Sequence, residues 1–333
     1  MDSTDLRVLR SARDWHMAGH HLLLVTVVKT WGSSPRPAGS MMVLRADGRC
    51  EGSVSGGCIE EDLIHQYRNN IQPGRPVLRR YGVNADEAHR FGLPCGGTLE
   101  LLLEFQPDRV LLDTLVCQLE AGQLMQRSID CDSGVVNVQA LTEPKALFYD
   151  GKKLITTLGP QYRLLIIGAG ILAEYLATMA LFNNFAVTVC DPRRDYIDGW
   201  SVAGVSIIRQ MPDDAVVSLA PDRHTCVVAL SHDPKLDDLA LLEALHSPAF
   251  YVGAIGSRRN TDSRRRRFIQ YFGETEASLA SLRAPVGLYI GSRTPAEIAV
   301  SVMAEILAVK NSVKLPAGLS VAIAKARQQE VTL

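Results

Sequence analysis

The sequence predicts an α/β protein in two parts, an N-terminal α+β domain and a C-terminal domain built on a doubly wound parallel sheet. The length of 333 residues corresponds to roughly two domains of about 150 residues each. Strands and helices alternate after residue 161, which is typical of parallel βαβ units. A glycine-rich turn also follows the first of these strands and opens a helix.

Composition and charge exclude several classes of protein. Hydrophobic residues make up 47% of the chain and charged residues 21%, which excludes a disordered, collagen-like or disulfide-stapled chain. The net charge of -1 excludes a whole-chain basic field for nucleic acid. The apolar run 22–28 is too short to span a membrane, and acidic residues precede it, so we expect neither a span nor a secretory signal.

Cysteine usage bears on the compartment. The chain has 7 cysteines and no CxxC pair, so zinc and thioredoxin-type sites are not expected, and no other metal-ligand cluster is visible. We expect reduced thiols and a cytoplasmic protein.

The N-terminal domain is assigned to residues 1–106. Val8, Ala12 and Trp15 share one face of the first helix, and Asp47-Gly48 is a strong hairpin signal. The predicted order is a helix near 4–19, a strand near 21–30, two strands joined at Asp47-Gly48, a helix near 58–71, and strands near 76–83 and 98–105.

Residues 107–160 are interpreted as a β-rich segment that connects the domains. A helix is expected near 108–122, and Asp150-Gly151 predicts another hairpin. The segment has no cluster of residues typical of catalysis.

The C-terminal domain is assigned to 161–333. The predicted strands lie near 162–167, 186–191, 205–209, 225–231, 250–257 and 288–292, and the clearest helices near 171–182, 235–245, 263–272 and 295–310.

The turn after the first of these strands reads GxGxxA and predicts a Rossmann-like dinucleotide fold. Gly168 permits a tight turn, and Gly170 lets the backbone approach a pyrophosphate at the helix N-terminus. Ala173 permits close packing of helix and strand. Asp191 ends the next strand, where an acid would bind a ribose 2′-hydroxyl and disfavour a 2′-phosphate. The crevice either holds NAD or another nucleotide, or is a scaffold that kept the fold without the ligand.

Two arginines follow later strands, where ligands bind in open α/β sheets. Arg258 and Arg293 lie in glycine- and serine-containing turns and could bind phosphate. Helix capping is the alternative: Thr294 as N-cap with Pro295 at the first helical position accounts for the second turn without a ligand.

Two other polar features of this domain have plainer interpretations. The run 264–267 of four arginines is interpreted as a solvated or partner-facing helix surface rather than a nucleic-acid site. His232 could act as an acid–base group, but without a visible partner it is better interpreted as a polar residue lining the crevice.

The N-terminal domain contains two turns that combine glycine pairs with cysteine. Gly56, Gly57 and Cys58 open a helix, where free N–H groups form an anion nest and lower the pKa of a thiol, although Glu60 and Glu61 oppose that shift. The second turn consists of Cys95, Gly96 and Gly97. Each turn alone is explained by tight backbone geometry and a small buried cysteine. Together with Arg36, they indicate a shared anionic ligand.

These motifs together resemble the XdhC/CoxI family, the accessory proteins that mature xanthine dehydrogenase-type molybdenum hydroxylases. The resemblance spans nearly the whole chain, and GSVSGGC with IGSRTPAE is its most specific part. The matching segments are 32–37, 52–60, 95–97, 168–170, 191–193, 253–259 and 290–297.

The resemblance implies a chaperone rather than an enzyme. Such a protein binds molybdenum cofactor, as molybdopterin or its cytosine dinucleotide form. It cooperates with a cysteine desulfurase in sulfuration and delivers the cofactor to an apo molybdenum hydroxylase. Cys58 or Cys95 would contact or protect the molybdenum centre, and a homodimer would shelter it.

One position departs from the family pattern. Many relatives carry His directly after the GAG turn, whereas this chain has Ile171, so the crevice is expected to bind rather than to react. The alternatives are an NAD(P)-dependent oxidoreductase that uses Asp191 and His232, and a nucleotide-binding regulatory protein without chemistry.

Overall fold

A computed structural model describes residues 4–32, 36–82, 98–319, 321 and 324. The chain divides into two compact units, an N-terminal unit of residues 2–161 and a C-terminal unit of residues 162–333. Within the described ranges, no helix has both the length and the apolar character needed to cross a membrane.

The N-terminal unit combines helices with two antiparallel sheets. Its elements are α1 (Thr4–Met17), β1 (Leu22–Trp31), β2 (Met41–Arg45), β3 (Cys50–Gly52), α2 (Cys58–Tyr67), β4 (Val77–Tyr81), β5 (Thr98–Phe105), α3 (Arg109–Glu120), β6 (Met125–Asp130), β7 (Val136–Ala140), β8 (Phe148–Tyr149) and β9 (Lys153–Leu158). The sheets have the orders β3-β2-β1-β5-β4 and β7-β6-β9-β8. Both predicted hairpins, β2–β3 and β8–β9, are confirmed.

Strand β1 is buried on both faces, which explains its continuous apolar run. Leu23 and Val25 pack in the same core as Ile59 of α2, whereas Leu22 and Leu24 pack in the core that contains α1 and α3. Because successive strand residues point to opposite faces, this single strand joins both cores.

Residues 107–160 are an integral part of this unit rather than a separate connection. Leu112 and Leu115 of α3 share a core with Val8 of α1, and Ile129 of β6 packs with Leu102 of β5. The apolar faces of α3 and of the second sheet are therefore covered by the elements that precede them.

The C-terminal unit is a parallel sheet with helices on both faces, as predicted. Its elements are β10 (Tyr162–Ile167), α4 (Ile171–Phe182), β11 (Phe185–Cys190), α5 (Arg194–Asp198), β12 (Ser206–Ile208), α6 (Pro212–Leu219), β13 (Thr225–Ala229), α7 (Pro234–Leu245), β14 (Tyr251–Ala254), α8 (Arg258–Phe272), β15 (Leu282–Arg283) and α9 (Pro295–Lys310). The strand order β12-β11-β10-β13-β14-β15, parallel throughout, is that of a Rossmann fold.

The position of the sixth strand corrects the sequence prediction. The segment 288–292 was expected to form it, but β15 is Leu282–Arg283. The backbone N–H of Gly287 donates to Glu305 of α9 at 2.8 Å, and that of Leu288 donates to the carbonyl of Ser301 at 3.2 Å. This segment therefore satisfies its hydrogen bonds against the helix and does not extend the sheet.

Candidate functional site

The glycine turn after β10 lies at the switch point of the sheet, where the chain order reverses between β10 and β13. Gly168 has φ +96°, and a Cβ added there would lie 2.7 Å from the Cα of Ser231, so only glycine fits. Its N–H donates to the carbonyl of Cys190 at 2.8 Å. The turn therefore packs tightly against β11 and against the end of β13.

The N-terminus of α4 is open next to this turn. A Cβ added to Gly170 would meet no described atom within 4 Å. Among the residues that the structure describes, the N–H groups of Gly170, Ile171 and Leu172 donate no hydrogen bond. Ala173 is buried and lets the helix approach the sheet. The turn therefore presents free donors, as an anion site at a helix N-terminus requires.

Asp191 lies at the end of β11 and is 0% exposed. Its Oδ2 accepts from the N–H of Ala169 at 2.9 Å and from Nη2 of Arg193 at 2.7 Å. Its Oδ1 accepts from the N–H of Arg193 at 3.0 Å and from Nε of Arg193 at 2.8 Å. Burial alone raises the pKa of this carboxyl, but the hydrogen bonds from Arg193 and Ala169 outweigh it and lower the pKa. Asp191 is thus an ionised group that fixes both the glycine turn and the arginine.

A buried ionic network supports the crevice from behind. Ser231, whose backbone touches Gly168, donates through its hydroxyl to Oδ1 of Asp237 at 2.6 Å. The Arg264 guanidinium then donates to Asp237 at 3.2 Å and to Asp238 at 2.9 Å. Burial raises the pKa of Asp237 even though Ser231 and Arg264 oppose the shift. The glycine turn is therefore connected to a chain of buried charges.

This network corrects the interpretation of residues 264–267 as a solvated surface. Arg264 is 4% exposed, and Arg267 donates to Asp238 at 2.8 Å. Arg265 donates to Glu276 at 3.0 Å, and only Arg266 is an exposed member of the run. The prediction was wrong because the two acidic partners lie on α7, more than 20 residues earlier in the chain.

The remaining candidates of this unit lie in turns. Arg258 is the first residue of α8, which Ser257 caps through the N–H of Asn260 at 3.1 Å. Arg293 is exposed, and its N–H donates to Glu297 at 2.7 Å.

The capping interpretation of the second turn is confirmed. Thr294 accepts from the N–H of Glu297, Glu297 accepts in return from the N–H of Thr294, and Pro295 is the first helical residue. The local structure of that turn therefore has a full explanation without a ligand.

His232 has φ +62° and an exposed side chain at the end of β13. Within the described ranges, it makes no hydrogen bond or ion pair.

The glycine pair of the N-terminal unit forms the predicted anion nest, but the chain fills the nest itself. The Glu60 carboxylate, on the third residue of α2, accepts a cage of hydrogen bonds. The donors are the N–H groups of Val54, Ser55, Gly56 and Gly57 and the hydroxyls of Ser53 and Ser55. The bonds other than that from the Ser55 hydroxyl measure 2.7–3.1 Å.

Glu60 therefore takes the place that an anionic ligand was expected to take. The residue is 8% exposed. Burial raises the pKa of its carboxyl, but the hydrogen bonds from Ser55 and Ser53 outweigh it and lower the pKa to about 2. The predicted use of Gly56 and Gly57 as direct ligands to an external anion is contradicted in this arrangement, because their N–H groups bind Glu60.

The other candidates of this unit are only partly described. Cys58 is the first residue of α2, and its side chain lies outside the described set. Cys95, Gly96 and Gly97 also lie outside the described residues. Arg36 is exposed beyond the end of β1. The described residues contain no cluster of three or more metal-ligating side chains.

Sequence reasoning missed the groups that organise both turns. Glu60 was noted only for its effect on Cys58, although a glutamate three residues into a glycine-capped helix is a capping signal. The Asp237-Asp238 pair lies among the buried residues of α7, and two acids on an apolar helix face indicate a buried cation. Arg193 was not singled out for a role at the site.

Two family models match the chain. One describes the XdhC Rossmann domain and matches residues 164–306. The other describes the XdhC and CoxI family and matches residues 15–82. Together they cover the glycine turns of both units.

The chain is also similar to individual proteins over most of its length. It is 28% identical over 307 residues to the molybdenum cofactor insertion chaperone PaoD of Escherichia coli strain K12, covering 91% of this chain and 88% of that protein. It is 27% identical over 319 residues to a protein of Bacillus subtilis strain 168 described as a probable xanthine dehydrogenase subunit, covering 87% and 94%.

A solved structure described as a xanthine dehydrogenase from Bacillus halodurans shares the fold. It superimposes with a TM-score of 0.70 at 24% identity and covers 97% of this chain and 99% of that one.

Proposed function

The chain belongs to the XdhC and CoxI family, and on this basis we propose that it is a chaperone that binds molybdenum cofactor and delivers it to a molybdenum hydroxylase of the xanthine dehydrogenase type. The observation that carries the proposal is the similarity to a molybdenum cofactor insertion chaperone over 91% of the chain. The similarity includes both units, so it is not explained by a shared Rossmann domain alone.

We assign the cargo to the loops of the N-terminal unit. Glu60 holds the backbone of residues 53–57 through hydrogen bonds, so the loop that leads into Cys58 has a fixed course. A preorganised loop presents a thiol to a metal centre with little loss of conformational entropy on binding. Cys58 and Cys95 are the proposed contacts to the molybdenum end of the cargo.

The phosphate end of the cargo needs cations or N–H donors, because molybdopterin is anionic. The N–H groups of Ser55 and Gly57 already bind Glu60. Arg36, which is exposed, and the turn of residues 95–97 are therefore the proposed partners of the phosphate. In the C-terminal unit, Gly168 and Gly170 form the proposed nucleotide site, with Arg258 and Arg293 as the proposed phosphate partners at neighbouring turns.

A carrier is favoured over a dehydrogenase by the surroundings of His232. An acid–base catalyst is commonly oriented by a hydrogen-bonding partner. Within the part of the chain that the structure describes, His232 has no such partner. We therefore propose that the chain acts by binding and transfer and catalyses no redox reaction.

The finer features of this proposal are the partners and the form of the cargo. We propose that a homodimer in the cytoplasm receives the cofactor, in its molybdopterin or cytosine dinucleotide form. We further propose that it cooperates with a cysteine desulfurase and docks on the apo-enzyme. Size-exclusion chromatography with light scattering tests the dimer. Affinity capture with purified desulfurase and purified apo-hydroxylase tests the two partners.

The central experiment is anaerobic purification of the chain from cells that make the cofactor. We expect molybdenum by mass spectrometry and a fluorescent pterin after oxidation, in a ratio of about one to each other, since the cargo contains one of each. Protein without molybdenum or pterin contradicts the proposal. Reduction of NAD with small alcohols or aldehydes as substrates supports the dehydrogenase instead.

Cysteine variants test the site within that experiment. We expect Cys58→Ser to lose most of the bound molybdenum. Cys50→Ser is the matched control, because Cys50 is a free and exposed cysteine of β3 in the same unit. Equal retention of molybdenum by both variants contradicts the role of Cys58.

A further inference from the structure

We propose that the crevice of the C-terminal unit selects an adenine dinucleotide that carries a 2′-phosphate, and that Arg193 is the residue that determines this selection. The ligand would be additional to the molybdenum cofactor, so the inference goes beyond the proposed function. It reverses the preference that Asp191 indicated in the sequence. The reversal comes from the contacts of these two side chains.

The two residues stand where a Rossmann fold reads the ribose. The glycine turn follows β10, the central first strand, and Asp191 and Arg193 follow β11, the second strand. In dinucleotide-binding domains of this strand order, an acid here binds the 2′-hydroxyl, whereas an arginine accommodates a 2′-phosphate. This chain has both residue types at the same strand end.

Asp191 has no capacity left for a ribose. Each of its two oxygens accepts two hydrogen bonds, three from Arg193 and one from Ala169. The side chain is also 0% exposed. A ribose diol would have to displace a bidentate arginine and enter a buried position, which costs more than a hydroxyl–carboxylate hydrogen bond returns.

Arg193 has capacity that Asp191 lacks. Its Nε and Nη2 face Asp191, and its guanidinium carbon lies 3.9 Å from the ring centroid of Tyr196. In the described part of the chain, its Nη1 makes no hydrogen bond, and 33% of the side chain is exposed. The guanidinium is thus held by one edge and one face, while another edge is accessible.

A guanidinium held in this way suits a phosphomonoester. The carboxylate and the aromatic ring fix the rotamer, so little side-chain entropy is lost when a phosphate binds the accessible edge. Two charged oxygens of the phosphate can accept from the guanidinium, which a neutral hydroxyl cannot match in strength. The stacked Arg193–Tyr196 pair therefore favours the phosphorylated ribose.

The test compares nucleotides that differ only in this phosphate. Binding of NADPH and NADH to the full chain is measured by isothermal titration calorimetry. We expect NADPH to bind at least about tenfold more tightly, a difference of about 1.4 kcal/mol. Equal binding, tighter binding of NADH, or no binding of either nucleotide overturns the proposal.

Variants separate Arg193 from general positive charge. Arg193→Ala should remove the preference for NADPH, and Arg193→Lys, which keeps the charge but not the fork, should weaken it. Arg194→Ala is the matched control, because Arg194 is exposed and makes no ion pair among the described residues. Its preference should match that of the wild type. Loss of preference in Arg194→Ala as large as in Arg193→Ala contradicts the assignment.

Two further measurements identify the source of the phosphate and the state of the protein. Coenzyme A, whose ribose carries a 3′-phosphate, should compete with NADPH only weakly, and stronger competition overturns the dinucleotide assignment. Near-ultraviolet circular dichroism verifies that each variant is folded. Molybdenum content of the same preparations reports the proposed function separately, so either idea can fail alone.

Discussion

The two glycine turns look alike in the sequence but differ in how their free N–H groups are used. Each follows a strand and opens a helix, with Gly57 as N-cap of α2 and Gly170 as N-cap of α4. The third helical residue is Glu60 in α2 and Ala173 in α4. The first turn is closed by its own carboxylate, whereas the N–H groups of the second have no acceptor within the described residues.

The residue three positions after the cap thus decides whether a glycine turn can hold an external anion. The N-terminus of α9 supports this reading, because Glu297 at the same helix position binds back to the N–H of Thr294. A small residue at this position leaves the donors available to a ligand. The glycine motif alone does not distinguish these cases.

The turns also differ in what holds them in place. The closed turn is held from inside by Glu60. The open turn has no central carboxylate and is instead held by Asp191 on one side and by the network of Ser231, Asp237 and Arg264 behind it. Substitutions in each turn and in its supports test this difference.

The greatest loss of stability is expected from Arg264→Ala. The substitution leaves the carboxylates of Asp237 and Asp238 buried without their shared cation, so we expect a loss of about 4 kcal/mol in the free energy of unfolding of the C-terminal unit. Hydrogen exchange measured on peptides of β13 and β14 reports it. Arg266→Ala is the control, since Arg266 is exposed. Equal protection in both variants would contradict the buried network.

The next effect comes from paired substitutions in the open turn. Gly168→Ala forces an unfavourable φ and a contact with the Ser231 backbone, so we expect a loss of about 3 kcal/mol. Gly170→Ala has space and a negative φ, so we expect unchanged stability. Thermal unfolding of the two variants measures the contrast. A loss in Gly170→Ala equal to that in Gly168→Ala would show that the turn is not open.

A smaller effect is expected from Glu60→Gln in the closed turn. An amide keeps the size of the side chain but loses the charge, and its NH₂ group faces N–H donors. We therefore expect a loss of about 2 kcal/mol. Hydrogen exchange of residues 53–60 measures it, and Glu61→Gln on the exposed face of α2 is the control. If the two variants exchange alike, Glu60 does not hold the turn.

The weakest effect is a pH dependence of the closed turn alone. The pKa of Glu60 is about 2 in the folded chain, below the ordinary carboxyl value of about 4.3. Its contribution is therefore complete above the ordinary value and is lost as the pH falls toward 2.

Local unfolding of residues 53–60, followed by pulsed hydrogen exchange at several pH values, measures this loss. The difference between wild type and Glu60→Gln should shrink between pH 5 and about 3. A difference that stays constant over this interval would contradict the role of the ionised carboxylate.

Local patterns predicted most of the fold but less of the site. The strand Thr98–Phe105 and the hairpin at Asp47-Gly48 have the predicted limits, because their side-chain alternation and turn chemistry are local. Arg264 was misplaced because its partners lie 26 and 27 residues away. Asp191 was correctly placed at the strand end, but its saturation by Arg193 depends on a side-chain geometry that spacing does not contain.

Transfer of molybdenum cofactor from the chain to an enzyme is the core of the proposed function. To measure it, the loaded chain, purified without oxygen, is mixed with an apo molybdenum hydroxylase of the xanthine dehydrogenase type, and the recovered hydroxylase activity is followed. We predict that activity rises in proportion to the molybdenum transferred and that Cys58→Ser fails while Cys50→Ser succeeds. An apo-enzyme that stays inactive, with molybdenum absent from or retained on the wild-type chain, would contradict the proposed function.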